Sequence, residues 1–218
     1  DDKNEIDTAF AHEVSLGYDA RHVSAGEIAT VTPGIDPRAI TRQGAIFNAG
    51  EGWVDLPRLI EMLLQEFASL GGRLVTDQGA AEVVIEGGRA VAAKTASGER
   101  FAADAVILAT GSAVPAMAAK SGLVIGDGTP VALLVQTRPI VHPLRAVLNT
   151  PRVAVRPAPG GTFSIDADWA ADEGVKNGSN GEYEIDHSVV AALLAEASKV
   201  MEGNPVLEVA SVGVGGKP

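Results

Sequence analysis

Residues 102–112 read AADAVILATGS. An acid-bearing turn at Asp104 leads into a continuous apolar run, Ala105-Val106-Ile107-Leu108-Ala109, which stops abruptly at Thr110-Gly111. A short unbroken apolar run closed by a turn signal suits a strand covered on both faces. Alanine, threonine and glycine at its carboxyl end keep bulky side chains away from the backbone and leave room for a large group to lie against it. In open α/β sheets that end of a strand is where ligands sit. Ahead of it the spacing predicts a three-strand meander: Glu82–Ile85, a Gly87-Gly88 turn, Arg89–Thr95, a Ser97-Gly98 turn, then Arg100-Phe101.

Working back, Pro57–Leu70 predicts the strongest helix. Asp55 or Leu56 caps it, Pro57 suits the first turn and Gly71-Gly72 ends it. Leu59, Ile60, Leu63, Leu64, Phe67 and Leu70 fall at helical spacing and predict one stripe facing a sheet. Burial would be worth at most about 1.5–3 kcal/mol per large side chain. Arg73-Leu74-Val75 is expected to return as a strand, completing a parallel crossover. Nearer the start, Ser24 followed by Glu27 is a capping-box pattern for a helix over 25–31.

Beyond Ser112 the pattern changes. Val131–Val135, Pro139–His142, Arg152–Arg156 and Thr162–Ile165 read as strands of an antiparallel sheet, with Pro159-Gly160-Gly161 as a turn. A second amphipathic helix is expected over Ser188–Met201, with Val190, Leu193, Leu194, Ala197 and Met201 on one face. Asp186-His187-Ser188 supplies its caps and Gly203-Asn204-Pro205 its stop. Residues 177–181 form the expected exposed loop.

The 218 residues are 46% hydrophobic but 4% aromatic, which specifies an aliphatic core. A net charge of −11 argues against nucleic acid or an anionic membrane surface as partner. No run approaches the length of a membrane span, and the acidic amino terminus is unlike a secretory signal. The absence of cysteine excludes disulfides and thiolate metal sites and fits a cytoplasmic location. No metal-spaced histidine cluster or nucleophile elbow occurs, so no metal site is expected.

The order helix, strand, meander, Ala-Thr-Gly strand resembles the second flavin-contacting segment of FAD-dependent oxidoreductases, and in particular the family of D-amino-acid oxidases, D-amino-acid dehydrogenases, glycine oxidases and sarcosine oxidases. Val23–Ile28 followed by Thr32-Pro33-Gly34 is similar to the family's helix and turn before its first substrate-domain strand. Gly44–Phe47 and Glu51–Pro57 resemble its approach to the helix before the meander. Ser211–Pro218 resembles the start of a late family motif. The family opens with a G-x-G-x-x-G turn whose helix holds the FAD pyrophosphate. No such turn occurs here: Gly126-Asp127-Gly128 lacks the third glycine, and Gly213-Val214-Gly215-Gly216 lies at the end of the sequence. The sequence therefore reads as an internal piece of a longer flavoenzyme that by itself does not retain FAD.

The resemblance implies an α+β fold, with an α/β flavin-domain portion interleaved with a mixed or antiparallel substrate-binding sheet. It divides the chain into residues 1–56 (substrate side), 57–119 (partial FAD-binding domain), 120–207 (substrate-binding sheet and helix) and 208–218 (start of a return to the FAD domain). It also implies oxidation of an amino acid or amine, with hydride passing to the flavin and no protein nucleophile required. Ala109, Thr110, Gly111 and Ser112 match the flavin-contacting strand end, and Ala80 matches a position whose backbone faces the adenine. Lys217 stands where relatives often carry a carboxylate-binding arginine; lysine offers only a point charge on a flexible stem. No catalytic residue is assigned.

Arg138, Arg145, Arg152 and Arg156 give the sheet region a basic bias that fits an anionic substrate, though arginines on the exposed face of an antiparallel sheet are commonplace. His142 is a candidate to face the flavin, although a lone histidine in a strand is more often structural or exposed; His12, His22 and His187, with Trp53 and Trp169, read as structural. The competing reading is a non-catalytic α+β module that works without flavin. Exposed apolar surface around the flavin-domain portion makes self-association a further expectation.

Overall fold

A computed structural model describes residues 6–41, 43–126, 128, 130–178 and 182–216. The elements run α1 (Ile6–Ser15), β1 (Ala20–Val23), α2 (Ala25–Val31), β2 (Ala45–Asn48), α3 (Leu56–Ser69), β3 (Ala81–Glu86), β4 (Arg89–Thr95), β5 (Arg100–Ala102), α4 (Val114–Ala119), β6 (Val131–Thr137) and β7 (Leu148–Asn149). They continue with β8 (Ala154–Ala158), β9 (Thr162–Asp166), α5 (Asp168–Gly174), β10 (Val175–Asn177), β11 (Tyr183–Ile185), α6 (His187–Val200) and β12 (Val209–Gly216). This is an α+β fold. It divides into two compact units, Asp1–Asp55 with Val131–Gly215, and Leu56–Pro130 with Gly216–Pro218.

The first unit is built on a five-stranded sheet of order β12-β6-β9-β8-β7. The antiparallel registers of β6, β9 and β8 align Val135, Ile165 and Val155 in one row, all fully buried. The rows on either side, Leu134-Asp166-Ala154 and Gln136-Ser164-Arg156, project to the opposite face. Thr137 shows how the β6–β9 ladder ends, because its hydroxyl rather than a main-chain carbonyl accepts the Phe163 N–H, at 2.9 Å. Helix α6 closes the buried face. Val190, Leu193, Leu194, Ala197 and Met201, the stripe expected from spacing, are all buried and join Leu133, Val153 and Phe163 in one apolar cluster.

Caps set where the helices begin. Ser24 precedes α2, and the Glu27 carboxylate accepts from its N–H at 2.9 Å and its hydroxyl at 2.6 Å. Asp186 caps α6 by accepting from the Ser188 N–H and hydroxyl. Asp36, buried at the turn after α2, accepts from the Arg38 N–H and pairs with its guanidinium at 2.6 Å. The pairs Asp36 N–H to Val200 C=O and Glu202 N–H to Gly34 C=O then fasten that turn to the end of α6.

The second unit carries the meander, order β3-β4-β5, where the spacing places it. Glu86 and Arg89 are cross-strand partners, so Gly87-Gly88 is a two-residue hairpin loop. Both glycines have positive φ, +57° and +79°, the combination a type I′ turn demands. Helix α3 ends at the two glycines, with the Gly72 N–H donating to the Phe67 carbonyl at 2.8 Å.

Three expectations fail, for one reason. Residues 105–109 and 73–75 form no strand, and Ile107 is 90% exposed. A strand buried on both faces needs ladder partners, and among the described residues neither segment has one. The α3 stripe is open too: Ile60, Leu63, Leu64, Phe67 and Leu70 are all exposed. Among the described residues of this unit only Ala92, Thr95 and Ala118 are buried. In the first unit, Pro139–His142 is an extended loop rather than a strand, held through the Ile140 N–H on the Gly161 carbonyl. The expected exposed loop at 177–181 lies in part outside the described residues.

Two outcomes are expected of the fold. Leu193→Ala, at a site with no exposure, should cost about 2–5 kcal/mol, whereas Leu63→Ala, at 58% exposure, should change stability by less than about 0.5 kcal/mol; urea unfolding compares them, and equal losses would contradict the assignment of the core to the first unit. The second concerns acid. The Asp36 carboxyl is held below its ordinary range, mainly by the Arg38 side chain and then by the Arg38 N–H. That stabilisation is present above the ordinary carboxylate range and lost as pH falls through the lowered value. Asp36→Asn keeps an acceptor and removes the charge, so its urea midpoint should lie below the parent's at neutral pH and converge with it in acid; parallel curves would exclude the linkage.

Candidate functional site

From β5 the chain runs through residues 103–110 without secondary structure and turns at Gly111, whose φ is +59°. A 3-10 turn, Gly111–Ala113, leads directly into α4. The Ala113 N–H donates to the Thr110 carbonyl at 3.2 Å, and the Thr110 hydroxyl reaches the Met117 sulfur at 3.3 Å. Ala109, Thr110, Gly111 and Ser112 are all exposed. A methyl group built on Gly111 meets no atom within 4 Å. The segment thus presents bare, accessible backbone on a turn whose conformation favours glycine.

Ala80 lies before β3 in the same unit. Its carbonyl accepts from the Ala96 N–H at 2.7 Å, which ties it to the hairpin connecting β4 and β5. Beside it, between the end of α3 and the meander, is an open cleft of about 630 Å³. Phe67, Leu74 and Phe101 supply its apolar walls and Gly79 and Thr95 line it as well. The Arg73 guanidinium stands 5.9 Å from the centre of the Phe101 ring. The described lining residues include Ala80's neighbours Gly79 and Ala81, and none of Ala109–Ser112. No sequence motif marks the cleft, because its walls come from α3, the segment 73–79 and all three strands of the meander.

In the first unit the structure sorts the sequence candidates by what they touch. His142 is buried and both ring nitrogens are engaged. Nδ1 accepts from the Leu144 N–H at 3.2 Å, and Nε2 lies 3.0 Å from the Glu202 carbonyl. Since Nδ1 accepts, the proton sits on Nε2. The ring packs edge-on against Phe163. Of the two readings of His142 the geometry favours the structural one: His142 is a brace between two loops, with both ring nitrogens engaged.

Of the four arginines, Arg145 donates to the carbonyls of His142 and Leu144 in its own loop. Arg152 lies over the Trp169 ring at 4.5 Å, while the Trp169 indole N–H donates to the Arg152 carbonyl at 2.7 Å. Arg138 is exposed beside Glu208 at 3.6 Å. Arg156 alone projects from the open face of the sheet, paired with Asp166. His22 packs edge-on against Phe10. Lys217 lies outside the described residues. Among the described residues no group of three or more metal-capable side chains comes together, and no helix is long and apolar enough to cross a membrane.

Comparison with known proteins gives these features a family. A family model described as DAO, FAD dependent oxidoreductase, matches residues 1–216. Among solved structures, glycine oxidase from Geobacillus kaustophilus is 20% identical, with a TM-score of 0.69 over 98% of this chain and 55% of that one. Glycine oxidase from Bacillus cereus is 17% identical, with a TM-score of 0.70 over 98% and 58%. L-proline dehydrogenase from P. horikoshii is 13% identical, with a TM-score of 0.75 over 98% and 57%. At these identities the likeness is one of fold, and the chain spans a little over half the length of each. The sequence has no match among curated proteins. The chain belongs to the DAO family of FAD-dependent oxidoreductases.

The role of His142 can be checked directly. His142→Ala leaves the Leu144 N–H without its acceptor and should cost about 1–3 kcal/mol in urea unfolding. Unchanged stability would show that the brace carries no load.

Proposed function

We propose that the protein carrying this chain dehydrogenates an amino acid or a related primary or secondary amine, leaving an imine that water hydrolyses. Bound FAD would supply the two-electron acceptor. The observation that carries this reading is the bare backbone of Ala109–Ser112 in a chain matched to the family along residues 1–216.

The residues present fit such a cofactor. Ala109, Gly111 and Ser112 put nothing larger than a hydroxymethyl group between the backbone and a planar ring system, and the space over Gly111 is open. The Thr110 hydroxyl is turned toward Met117, so this turn presents its main chain. At Ala80 the carbonyl already accepts from Ala96, which leaves its N–H as the backbone group to meet an adenine. The relatives' names, glycine oxidase and L-proline dehydrogenase, are what bring amino acids to this chain as the substrate class. The 218 residues contain no G-x-G-x-x-G turn, so the isolated chain should not hold FAD stoichiometrically, and activity belongs to the whole protein.

The test is anaerobic addition of glycine, L-proline or a D-amino acid to the whole, flavin-loaded protein, parent and Gly111→Val. The parent should lose its yellow absorbance with at least one of them. The variant places a β-branched residue at positive φ and fills the open space; it should purify without flavin while circular dichroism shows the sheet intact. A parent whose flavin no amine reduces would overturn the reading, and a variant loaded to the parent's level would remove Ala109–Ser112 from it.

A further inference from the structure

The open face of the five-stranded sheet is nearly free of charge except at one place. Leu134 and Ala154 flank Asp166 in one row, and Gln136 and Ser164 share the next with Arg156. Val212 and Val214 of β12 pack on the core, so Ser211, Gly213 and Gly215 alternate onto the other side. Among these uncharged neighbours stand one guanidinium and one carboxylate, hydrogen-bonded to each other across β8 and β9. The Arg156 side chain is 40% exposed and that of Asp166 20%. The polar groups around them are committed elsewhere. The Gln136 amide donates to the Thr162 hydroxyl at 2.6 Å, and the Ser164 hydroxyl donates to Gln136 Oε1 at 2.7 Å. These bonds spend the neutral groups on each other and leave the ion pair as the chemically distinct feature of the face.

We propose that Arg156 and Asp166 form a charge-paired recognition site for a small zwitterion. The proposal rests on the oxidoreductase reading for its biological sense and deepens it by naming the residues that select the substrate. Arg156 uses one Nη2 contact on Asp166 Oδ1. Guanidinium carries five N–H donors in a planar fork, so a ligand carboxylate can be held without breaking the pair. Asp166 Oδ2 has no partner among the described residues and can accept from a ligand ammonium. A simple anion arriving at Arg156 meets the Asp166 charge beside it, and a simple cation arriving at Asp166 meets Arg156. Only a molecule bearing both charges a few ångströms apart matches both halves. The pair thus favours α-amino acids over the carboxylates and amines of the same size.

The experiment is a titration of the full chain with glycine, acetate and methylammonium, followed through the backbone amide resonances of Arg156, Ser164 and Asp166. Glycine should bind about tenfold more tightly than either single-charge probe, and Arg156→Gln and Asp166→Asn should each bring it to their level. If a single variant unfolds, the double variant Arg156→Met/Asp166→Leu replaces the pair with an apolar cross-strand contact, and unchanged Val155 and Ile165 amides report an intact sheet; it too should lose the preference. Equal binding of the three probes to the parent, or a preference that survives in a folded variant, overturns the proposal. The readout needs no flavin. A failed titration therefore leaves the dehydrogenase reading standing, and a protein whose flavin no amine reduces leaves this result standing.

Discussion

The row Val135-Ile165-Val155, covered by the stripe of α6, is the packing on which the first unit depends. Strand β6 must be in register with the β8–β9 hairpin for those side chains to share a face, and a slip of one residue between them would send the slipped strand's side chains to the other side. The same register therefore fixes both surfaces. It buries Val135, Ile165 and Val155, and it brings Gln136, Ser164 and Arg156 together on the open face. Core and candidate recognition site are two consequences of one alignment.

Around that sheet, polar chemistry determines where segments begin and what they are tied to. Asp36 and Asp186 are capping carboxylates, and both are held below their ordinary pKa range by the groups they cap or pair with. His142, Arg145 and the Arg152–Trp169 contact spend residues of catalytic type on bracing loops. Much of the chemistry that a sequence offers is consumed in this way. On the open face of the first unit's sheet, Arg156 and Asp166 are the charged pair that keeps donor and acceptor capacity beyond its own bond.

The second unit rests on different physics. Its meander forms because Gly87-Gly88 closes a hairpin and the strands satisfy one another's main chain. It gathers almost no core of its own. Local turn chemistry is sufficient for the antiparallel strands, whereas a parallel buried strand needs neighbours remote in sequence. The apolar runs at 105–109 and along α3 keep the character of core segments while standing open to solvent. Ala109–Ser112 are open in the same way, and the space over Gly111 is free.

The sequence by itself determined what local rules govern: the capped start of α2 at Ser24, the meander with its glycine turns, and the buried stripe of α6. Periodicity and capping act over a few residues and need no knowledge of the rest of the chain. The order of its motifs was also enough to show the family, while Ala80 and Ala109–Ser112 came from likeness to that family and from no property of their own side chains. Only the tertiary structure decided that residues 105–109 lack a ladder, that His142 is fully engaged, and that one arginine of four projects from the open face beside a carboxylate. The ladder and the His142 contact with Glu202 depend on partners far along the chain, and the arginine's place on the open face depends on the register of the β8–β9 hairpin. Partner choice of that kind is set by register and packing, which no local pattern records.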